Sequence, residues 1–207
     1  MTQIRLFLLL LLCFAGLPDR AEAQFFGLER QPRIVVGGTF GTFRISYDEF
    51  PSIYGGRWMN SVAGSGSYLI KAPYNILIKY RVAGQSGSAT ISGTPHTLEW
   101  REKILNFGIR YIYANDKRVS NFFSFGFLTA TIEENGSYSL FGDRTGPRKS
   151  EAGGFFLDTG VFISITSRLQ ASIELEISSA ALSGKSGFEG TSVGGYYLAT
   201  GLTLFLF

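Results

Sequence analysis

Apolar and polar residues alternate with a period of two over long stretches of the chain. In one such stretch Ile173, Leu175 and Ile177 occupy one face, while Glu174 and Glu176 lie on the other. Because side chains of a β-strand point alternately to its two faces, this pattern predicts strands with one apolar face. Eight such strands are predicted, at about residues 33–45, 57–70, 74–84, 98–113, 119–132, 154–166, 170–182 and 194–207. The first is ambiguous, because its apolar residues do not share a single face.

The connections between the predicted strands alternate in length. Long ones cover residues 46–56, 85–97, 133–153 and 183–193, and short ones cover residues 71–73, 114–118 and 167–169. One apolar face per strand fits either a soluble sandwich or an inside-out barrel, but Greek-key crossovers give no reason for such regular alternation. Short turns at one end and longer loops at the other are typical of transmembrane barrels, in which the backbone must be fully paired. We therefore predict an all-β fold, an eight-stranded antiparallel up-and-down transmembrane β-barrel over residues 33–207.

The first 23 residues have the pattern of a cleavable export signal. Arg5 precedes an apolar run from Leu6 to Leu17, Pro18 follows, and residues 21–23 are Ala-Glu-Ala. This order predicts cleavage before Gln24, which leaves residues 24–32 as a short segment ahead of the first strand. A run of about twelve apolar residues is too short to span about 30 Å of hydrocarbon. The single cysteine lies within the signal, so the mature chain is predicted to form no disulfide and no Cys-ligated metal site.

Candidate chemistry is sparse in this sequence. The formal net charge is +3, without a Lys/Arg cluster, so nucleic acid is not a predicted partner. His96 is the only histidine, in the predicted second long loop. A catalytic histidine needs a nucleophile and a carboxylate around it, and none has a recognisable spacing here. We predict no catalytic residues, no metal site and no cofactor, although an oxygen-ligated calcium site remains open from the sequence.

The polar faces of the predicted strands carry a set of charged residues near the short-turn end. The set consists of Lys79, Arg81, Arg110, Asp158, Glu174 and Glu176. In an eight-stranded cylinder the third and seventh strands lie roughly opposite each other, so a basic wall should face an acidic wall across a narrow lumen. Two interpretations follow: a gate or narrow ion path, and a plug of ion pairs without a pore. We favour the plug.

The end of the chain carries a further pattern, in Gly201, Phe205 and Phe207. With the export signal, the eight-strand meander and the loop asymmetry, it resembles the superfamily of small bacterial outer-membrane β-barrels that includes the OmpA, OmpX and OmpW types. The resemblance implies a Gram-negative outer-membrane location, and a terminal aromatic signal read by the barrel-assembly machinery. It also implies that the short turns and the termini are periplasmic, with residues 24–32 as a periplasmic segment. The four long loops would then lie outside, and the barrel would contact outer-membrane lipids and lipopolysaccharide.

Three functions are compatible with these predictions. The leading one is a non-enzymatic outer-membrane barrel with a side-chain-filled lumen, whose four long loops serve membrane-structural or surface-interaction roles. The first alternative is a narrow, porin-like channel for small solutes, which requires a continuous polar lumen. The second is a lipid-modifying outer-membrane enzyme, which requires a histidine or carboxylate cluster at the level of the outer leaflet.

Overall fold

The computed structural model describes residues 32–48, 50–91, 94–114, 118–136, 148–182 and 192–207. The predicted signal peptide lies outside these residues, as does all but the last residue of the predicted periplasmic segment. The elements are β1 (Ile34–Ile45), α1 (Phe50–Tyr54), β2 (Trp58–Lys71), β3 (Tyr74–Ile91), β4 (Thr94–Ala114), β5 (Val119–Gly136), β6 (Arg148–Ser164), β7 (Leu169–Leu182) and β8 (Ser192–Leu206). No helix in the described part of the chain is long and apolar enough to cross a membrane.

The eight strands form a closed barrel in chain order. Each pairs antiparallel with the next, and β8 closes the barrel on β1. Following paired residues around the sheet from Val35 leads back to β1 at Ile45, a stagger of ten residues. Such a stagger tilts the strands by about 40° and leaves an interior just wide enough for side chains. The predicted fold class is confirmed.

The period-two alternation separates an apolar outer face from a packed interior. Phe127 and Phe155 are 66% and 65% exposed on the outside, whereas Phe122 and Phe156 of the same strands are 2% and 1% exposed. We call the end with the short turns the turn end. It also carries the start of β1 and the end of β8. The opposite end is the loop end.

The prediction of four long connections at the loop end is wrong at the second one. Residues 85–97 were expected to form a loop, but β3 continues to Ile91 and β4 begins at Thr94. His96 therefore lies in β4, opposite Ala89, and not in a loop. The segment is rich in Gly, Ser and Thr, so both strand faces are polar or small. Backbone pairing continues there although the apolar alternation that predicts strands has stopped.

The third long connection is also shorter than predicted. β5 runs to Gly136, so residues 133–136 form strand and not part of a connection, and β6 begins at Arg148. Residues 137–147 lie outside the described part of the chain, and so does most of the fourth long connection.

The first long connection contains helix α1, which the sequence analysis did not predict. Phe50 is fully buried and Tyr54 is 3% exposed, so this short helix packs into the mouth of the barrel. Gly55 ends it with a φ of 71°, a left-handed conformation that a glycine adopts without a steric penalty. The amide of Gly55 donates to the carbonyl of Pro51 at 3.0 Å.

The structure assigns the two faces of β1. Val35 and Phe43 are 2% and 0% exposed and point inward, whereas Val36 and Phe40 are 47% and 58% exposed on the outer face. Both faces of β1 are apolar because its inward residues pack at the two ends of the lumen, where the interior itself is apolar.

Candidate functional site

The charged residues predicted to share the lumen all lie inside the barrel. Side chains alternate between the two faces of a strand, and this alternation, the strand parity, places the six residues on the inward faces of four strands. Each is 5% exposed or less. They are Lys79 and Arg81 on β3, Arg110 on β4, Asp158 on β6, and Glu174 and Glu176 on β7. We call these six residues the charged layer. Its three cations and three carboxylates balance, so the layer is formally neutral.

Lys79 lies among the three carboxylates of the layer. Its Nζ is 2.8 Å from Glu176 Oε2 and 2.9 Å from Glu174 Oε1. Asp158 Oδ2 is 3.7 Å away. These contacts run across the lumen between β3 and the opposite wall, as expected for an interior only wide enough for side chains.

Arg81 shares one of these carboxylates. Its Nη1 donates to Glu176 Oε1 at 2.7 Å. The guanidinium carbon lies 4.5 Å from the ring centre of Phe43 and 4.8 Å from that of Tyr197. The charge is therefore met by one carboxylate and two aromatic rings, a combination that suits a weakly hydrated guanidinium.

Arg110 completes the layer toward the turn end. Its Nη2 donates to Asp158 Oδ2 at 2.9 Å, and its Nε donates to Ser124 Oγ at 2.9 Å. The guanidinium carbon lies 4.4 Å from the ring centre of Phe122. Asp158 therefore contacts both Arg110 and Lys79, and it connects the two parts of the network.

Neutral residues that the sequence analysis did not assign to the site supply further partners. Asn106 Nδ2 donates to Glu176 Oε2 at 2.9 Å. The hydroxyl of Thr39 donates to Glu174 Oε1 at 3.3 Å and lies 2.9 Å from the hydroxyl of Tyr197. Strand parity could have found Asn106, because it is four residues before Arg110 on the same face. Nothing in the sequence pairs Thr39 with Tyr197, since their contact depends on the register of β1 against β8.

An apolar cluster closes the lumen on the turn-end side of the charged layer. It consists of Val35, Ile112, Phe122, Phe162 and Phe205. The ring centres of Phe122 and Phe162 are 4.6 Å apart, and those of Phe162 and Phe205 are 5.7 Å apart. Gly160 makes room for this packing, since a Cβ there would lie 2.6 Å from Cζ of Phe122. We call this cluster the lower seal.

A second apolar cluster fills the loop-end half of the lumen, and helix α1 caps it. The ring of Phe50 stacks on Tyr54 at 4.4 Å and meets Trp100 edge-on at 5.3 Å. Tyr54 donates to Glu134 Oε1 at 3.1 Å, and Gln85 Nε2 donates to the carbonyl of Tyr54 at 2.6 Å. We call Phe50, Tyr54 and Trp100 the upper seal.

The environment of Tyr54 keeps its hydroxyl protonated. Burial of the side chain, followed by the nearby charge of Glu134, raises the pKa of Tyr54 well above its ordinary value. The hydroxyl therefore remains a hydrogen-bond donor to the carboxylate over the whole physiological range.

Glu102 lies between the charged layer and the upper seal. Its Oε1 accepts a hydrogen bond from Trp100 Nε1 at 3.0 Å, and the residue is 1% exposed. The void beside it, lined by residues such as Ile104, Leu128 and Ala180, is too small to hold a water molecule. Among the described residues, no group of three His, Cys, Asp or Glu side chains is arranged to hold a metal ion.

The residues of the predicted assembly signal do not share one environment. Phe205 is fully buried in the lower seal, whereas Phe207 is 47% exposed just beyond the end of β8. Gly201 sits so close to β1 that a Cβ would collide with the carbonyl of Gly38. The outward apolar positions of β8 near its end are instead Leu202, Leu204 and Leu206. Recognition of this terminus by assembly machinery stays a prediction.

Solved structures with the same architecture are similar to this chain. Neisserial surface protein A aligns with a TM-score of 0.53 and 14% identity over 86% of this chain and 100% of its own. Ail, the attachment invasion locus protein of Yersinia pestis, aligns with a TM-score of 0.52 and 11% identity over 84% of this chain and 99% of its own, in a complex with the heparin analogue sucrose octasulfate. This chain has the fold of the small outer-membrane β-barrels.

The outer membrane protein OprG from Pseudomonas aeruginosa is a third example, with a TM-score of 0.51 and 8% identity over 88% of this chain and 98% of its own. No family model and no curated protein matches the sequence. The predicted resemblance is therefore confirmed at the level of the fold. In transmembrane barrels of this fold, the outer apolar face is the surface that faces lipid.

Proposed function

We propose that this chain is a non-enzymatic β-barrel of the bacterial outer membrane whose lumen is a structural plug and not a solute path. The observation that carries the proposal is the position of the charged layer between two apolar seals. A solute path would need polar groups in contact with water from one end of the lumen to the other. Here the rings of Phe122 and Phe162 on one side, and of Phe50 and Trp100 on the other, flank the polar zone.

The balance of charge supports the same proposal. Every cation of the layer has a carboxylate within 2.9 Å, and no side chain of the layer is more than 5% exposed. Charges that select or conduct ions are held in rings that water reaches, whereas these charges neutralise each other across a filled interior. The network therefore serves to hold the walls of the barrel together.

The loop end is the part that we assign to surface interaction. β2 pairs with β3 only as far as Asn60 and Gly84, whereas the pairing of β3 with β4 continues to Ile91 and Thr94. The β3–β4 hairpin therefore projects beyond the neighbouring β2. We propose that this end faces outward, and that the termini and short turns face the periplasm. We also propose that the assembly machinery inserts the chain, and that outer-membrane lipids and lipopolysaccharide surround it.

Conductance in a planar lipid bilayer tests the closed lumen. We expect the purified, refolded protein to insert without steady conductance steps, while a general porin in the same bilayer gives them. A large and steady conductance of the wild-type protein would contradict the plug and support the porin-like channel.

Two cell experiments test the remaining parts of the proposal. Protease added to intact cells should cut within residues 137–147 and leave the β6–β7 turn at Arg168 intact, and cleavage at Arg168 would reverse the orientation. Overexpression should leave the mass of lipid A unchanged, because the proposed role is not enzymatic. A new lipid A mass that depends on this chain would support the lipid-modifying alternative.

A further inference from the structure

The formal charges of the described residues are distributed unevenly along the barrel axis. The charged layer is neutral, and the loop-end half of the barrel carries six cations and six carboxylates. Outside the charged layer, the turn end carries four cations and no described carboxylate side chain. The four cations are Arg33, Lys71, Arg118 and Arg168. Residues 24–31 and 115–117, which adjoin this end in the sequence, each add one cation and one carboxylate. The excess of cations in the chain is therefore at the turn end.

The four cations are spread around the barrel. Arg33, Arg118 and Arg168 immediately precede β1, β5 and β7, and Lys71 is the last residue of β2. All four are exposed. Their side chains form no ion pair with any other residue that the structure describes. These charges are therefore available to a partner.

The backbone pairing of Arg168 places it at the mouth of the barrel and not on the outer wall. Its carbonyl accepts a hydrogen bond from the amide of Phe205 at 2.8 Å, which continues the pairing of β7 with β8. Residues that are paired across two strands lie on the same face of the sheet. Since Phe205 is fully buried in the lower seal, Arg168 continues a row of inward-facing residues.

Arg33 and Arg118 belong to inward-facing rows by the same criterion. The carbonyl of Arg33 accepts from the amide of Leu69 at 2.9 Å, and Leu69 is an inward position of β2. The carbonyl of Arg118 accepts from the amide of Ser164 at 2.8 Å, and Ser164 is an inward position of β6. All three arginines therefore border the turn-end mouth, just outside the lower seal.

Lys71 is on the other face of the sheet. It pairs with Tyr74, which is 50% exposed on the outer wall, and the ring of Tyr74 lies 5.6 Å from that of Tyr111. Tyrosines at the end of a transmembrane barrel are typical of the level of the lipid headgroups. Lipid headgroups can therefore account for Lys71, but not for the three arginines at the mouth.

The width and depth of the mouth limit what the arginines can bind. Eight strands about 4.8 Å apart and tilted by about 40° form a cylinder about 16 Å across. Arg33 and Arg118 are on opposite walls, and Arg168 is midway between them. The floor is closed by the lower seal, in which Phe122 is 2% exposed. We call this mouth, with its three arginines and its apolar floor, the turn-end cup.

We infer that the turn-end cup is a docking site for an acidic segment of a periplasmic protein. A guanidinium binds a carboxylate through two parallel hydrogen bonds. An extended segment advances about 3.3 Å per residue, so about five residues span the cup, and side chains at alternate positions point the same way. Such a segment brings several carboxylates to the three arginines at once. This inference rests on the proposed function, because it requires the turn end to face the periplasm.

Other anionic partners fit the turn-end cup less well. Phospholipid headgroups surround the outer wall, where Lys71 lies, whereas the arginines border the mouth. The carboxylates of the cell wall are on short peptides that branch from glycan strands, so they reach three arginines together less readily than one continuous segment does. Both partners are outcomes that the following experiment separates.

Fluorescence anisotropy of a labelled peptide measures the docking directly. The full barrel is refolded into nanodiscs of phosphatidylcholine, which carry no net charge and leave both ends of the barrel accessible. The probe is a heptapeptide with three glutamates at alternate positions, and the same peptide with glutamines is the reference. We expect wild type to bind the glutamate peptide at least about tenfold more tightly than the glutamine peptide. This difference should shrink as the salt concentration rises.

The variant R33S/R118S/R168S should lose at least about tenfold in affinity for the glutamate peptide. The slower gel migration after boiling, which marks a folded barrel, is measured for this and every other variant. The three side chains are exposed and unpaired among the described residues, so the variant should fold.

Two controls separate the turn-end cup from the total charge of the protein. R57S/R101S/K149S removes the same number of cations at the loop end, and K71S removes the cation on the outer wall of the turn end. Neither should change the affinity by more than about twofold, because water and salt screen charges that are far from the bound peptide.

Four results would overturn the inference. Two are equal binding of both peptides by wild type, and equal losses of affinity in R33S/R118S/R168S and in the loop-end control. The other two are found with a wild type that ignores the peptide. It would co-sediment with purified cell-wall sacculi, or retain phosphatidylglycerol in native mass spectrometry, in either case through the three arginines.

Each of these results leaves the proposed function intact, because a barrel in the outer membrane needs no periplasmic partner. The orientation of the barrel is tested separately, by protease on intact cells. Cleavage at Arg168 in that experiment would overturn the proposed orientation and the periplasmic partner with it, but it would not change peptide binding in nanodiscs, where both ends are accessible.

Discussion

The same barrel carries ion pairs of nearly equal length in two different environments. In the lumen, Arg81 and Glu176 lie 2.7 Å apart with side chains that are 1% and 0% exposed. On the outer face toward the loop end, Lys103 and Glu133 are also 2.7 Å apart, but their side chains are 35% and 26% exposed. The lengths of the two contacts do not distinguish them. Their surroundings do.

The difference is in what happens when one partner is removed. Water and mobile side chains replace a lost partner at the surface, so such pairs contribute little to stability. In the lumen, Glu176 also contacts Lys79 and Asn106, and the side chains of the two cations that it would leave behind, Lys79 and Arg81, are 1% exposed. Removing one member of such a buried network leaves its partners as unpaired charges in a poorly hydrated interior, which is strongly destabilising.

Glu176→Ala should therefore have the largest effect of any substitution discussed here. It removes the carboxylate that meets both Lys79 and Arg81, and breaking a buried pair costs about 3–5 kcal/mol. Urea unfolding in lipid vesicles, followed by tryptophan fluorescence, measures this loss. The matched control is Glu133→Gln, which should leave the unfolding midpoint unchanged. Equal midpoints for the two variants would show that the lumen is hydrated and remove the contrast between the two pairs.

Gly160→Ala tests the lower seal, which keeps water from the charged layer. Its Cβ would lie 2.6 Å from the ring of Phe122 and would collide with the carbonyl of Ile173. Overpacking of this kind costs about 1–3 kcal/mol, so we expect a lower unfolding midpoint in the same assay. Gly153→Ala on the same strand is the control, since nothing lies within 4 Å of its added Cβ. A wild-type midpoint for Gly160→Ala would mean that the seal is loosely packed.

Strand parity explains how much of the lumen could be predicted from the sequence. Lys79, Arg110 and Glu176 were assigned to the interior because side chains alternate strictly along a strand, whatever their partners are. The geometry of the contacts could not be predicted in the same way. It depends on the stagger of ten residues around the barrel, which decides which residues of opposite walls reach the same level.

There are also physical reasons why some parts of the fold could not be predicted from the sequence. The strands β3 and β4 continue past Gln85 and Thr97 without an apolar face, so the signal that predicts strands ends before the strands do. Helix α1 has five residues, too few to show a helical period. Phe205 faces the lower seal and not lipid, because the interior of this barrel is apolar at both ends and polar only between them.

Tyr54→Phe should have a smaller effect than either lumen substitution. The hydrogen bond from Tyr54 to Glu134 lies in the upper seal, where the carboxylate is 3% exposed, and a typical hydrogen bond contributes about 1 kcal/mol. The ring packing on Phe50 and Trp100 is kept, so the protein should remain non-conducting. A Tyr54→Phe barrel with open-channel steps would show that this bond, and not the aromatic packing, closes the loop end.

The smallest expected effect is the pH dependence of the stability that the Tyr54 hydroxyl contributes. In the folded state the pKa of Tyr54 is raised, whereas an unfolded tyrosine ionises near pH 10. The folded state suppresses an ionisation that the unfolded state undergoes, so the stability that the Tyr54 hydroxyl contributes is complete below about pH 10 and decreases above it. Wild type and Tyr54→Phe should therefore differ most at pH 8 and converge as the pH rises past 10, when unfolding midpoints are compared at matched ionic strength. Other tyrosines titrate equally in both proteins, and their contribution cancels in the difference. A difference between the two midpoints that stays constant or widens up to pH 11 would mean that Tyr54 ionises in the folded state as an exposed tyrosine does. The loop end of the lumen would then resemble the outer face of the barrel more than its interior.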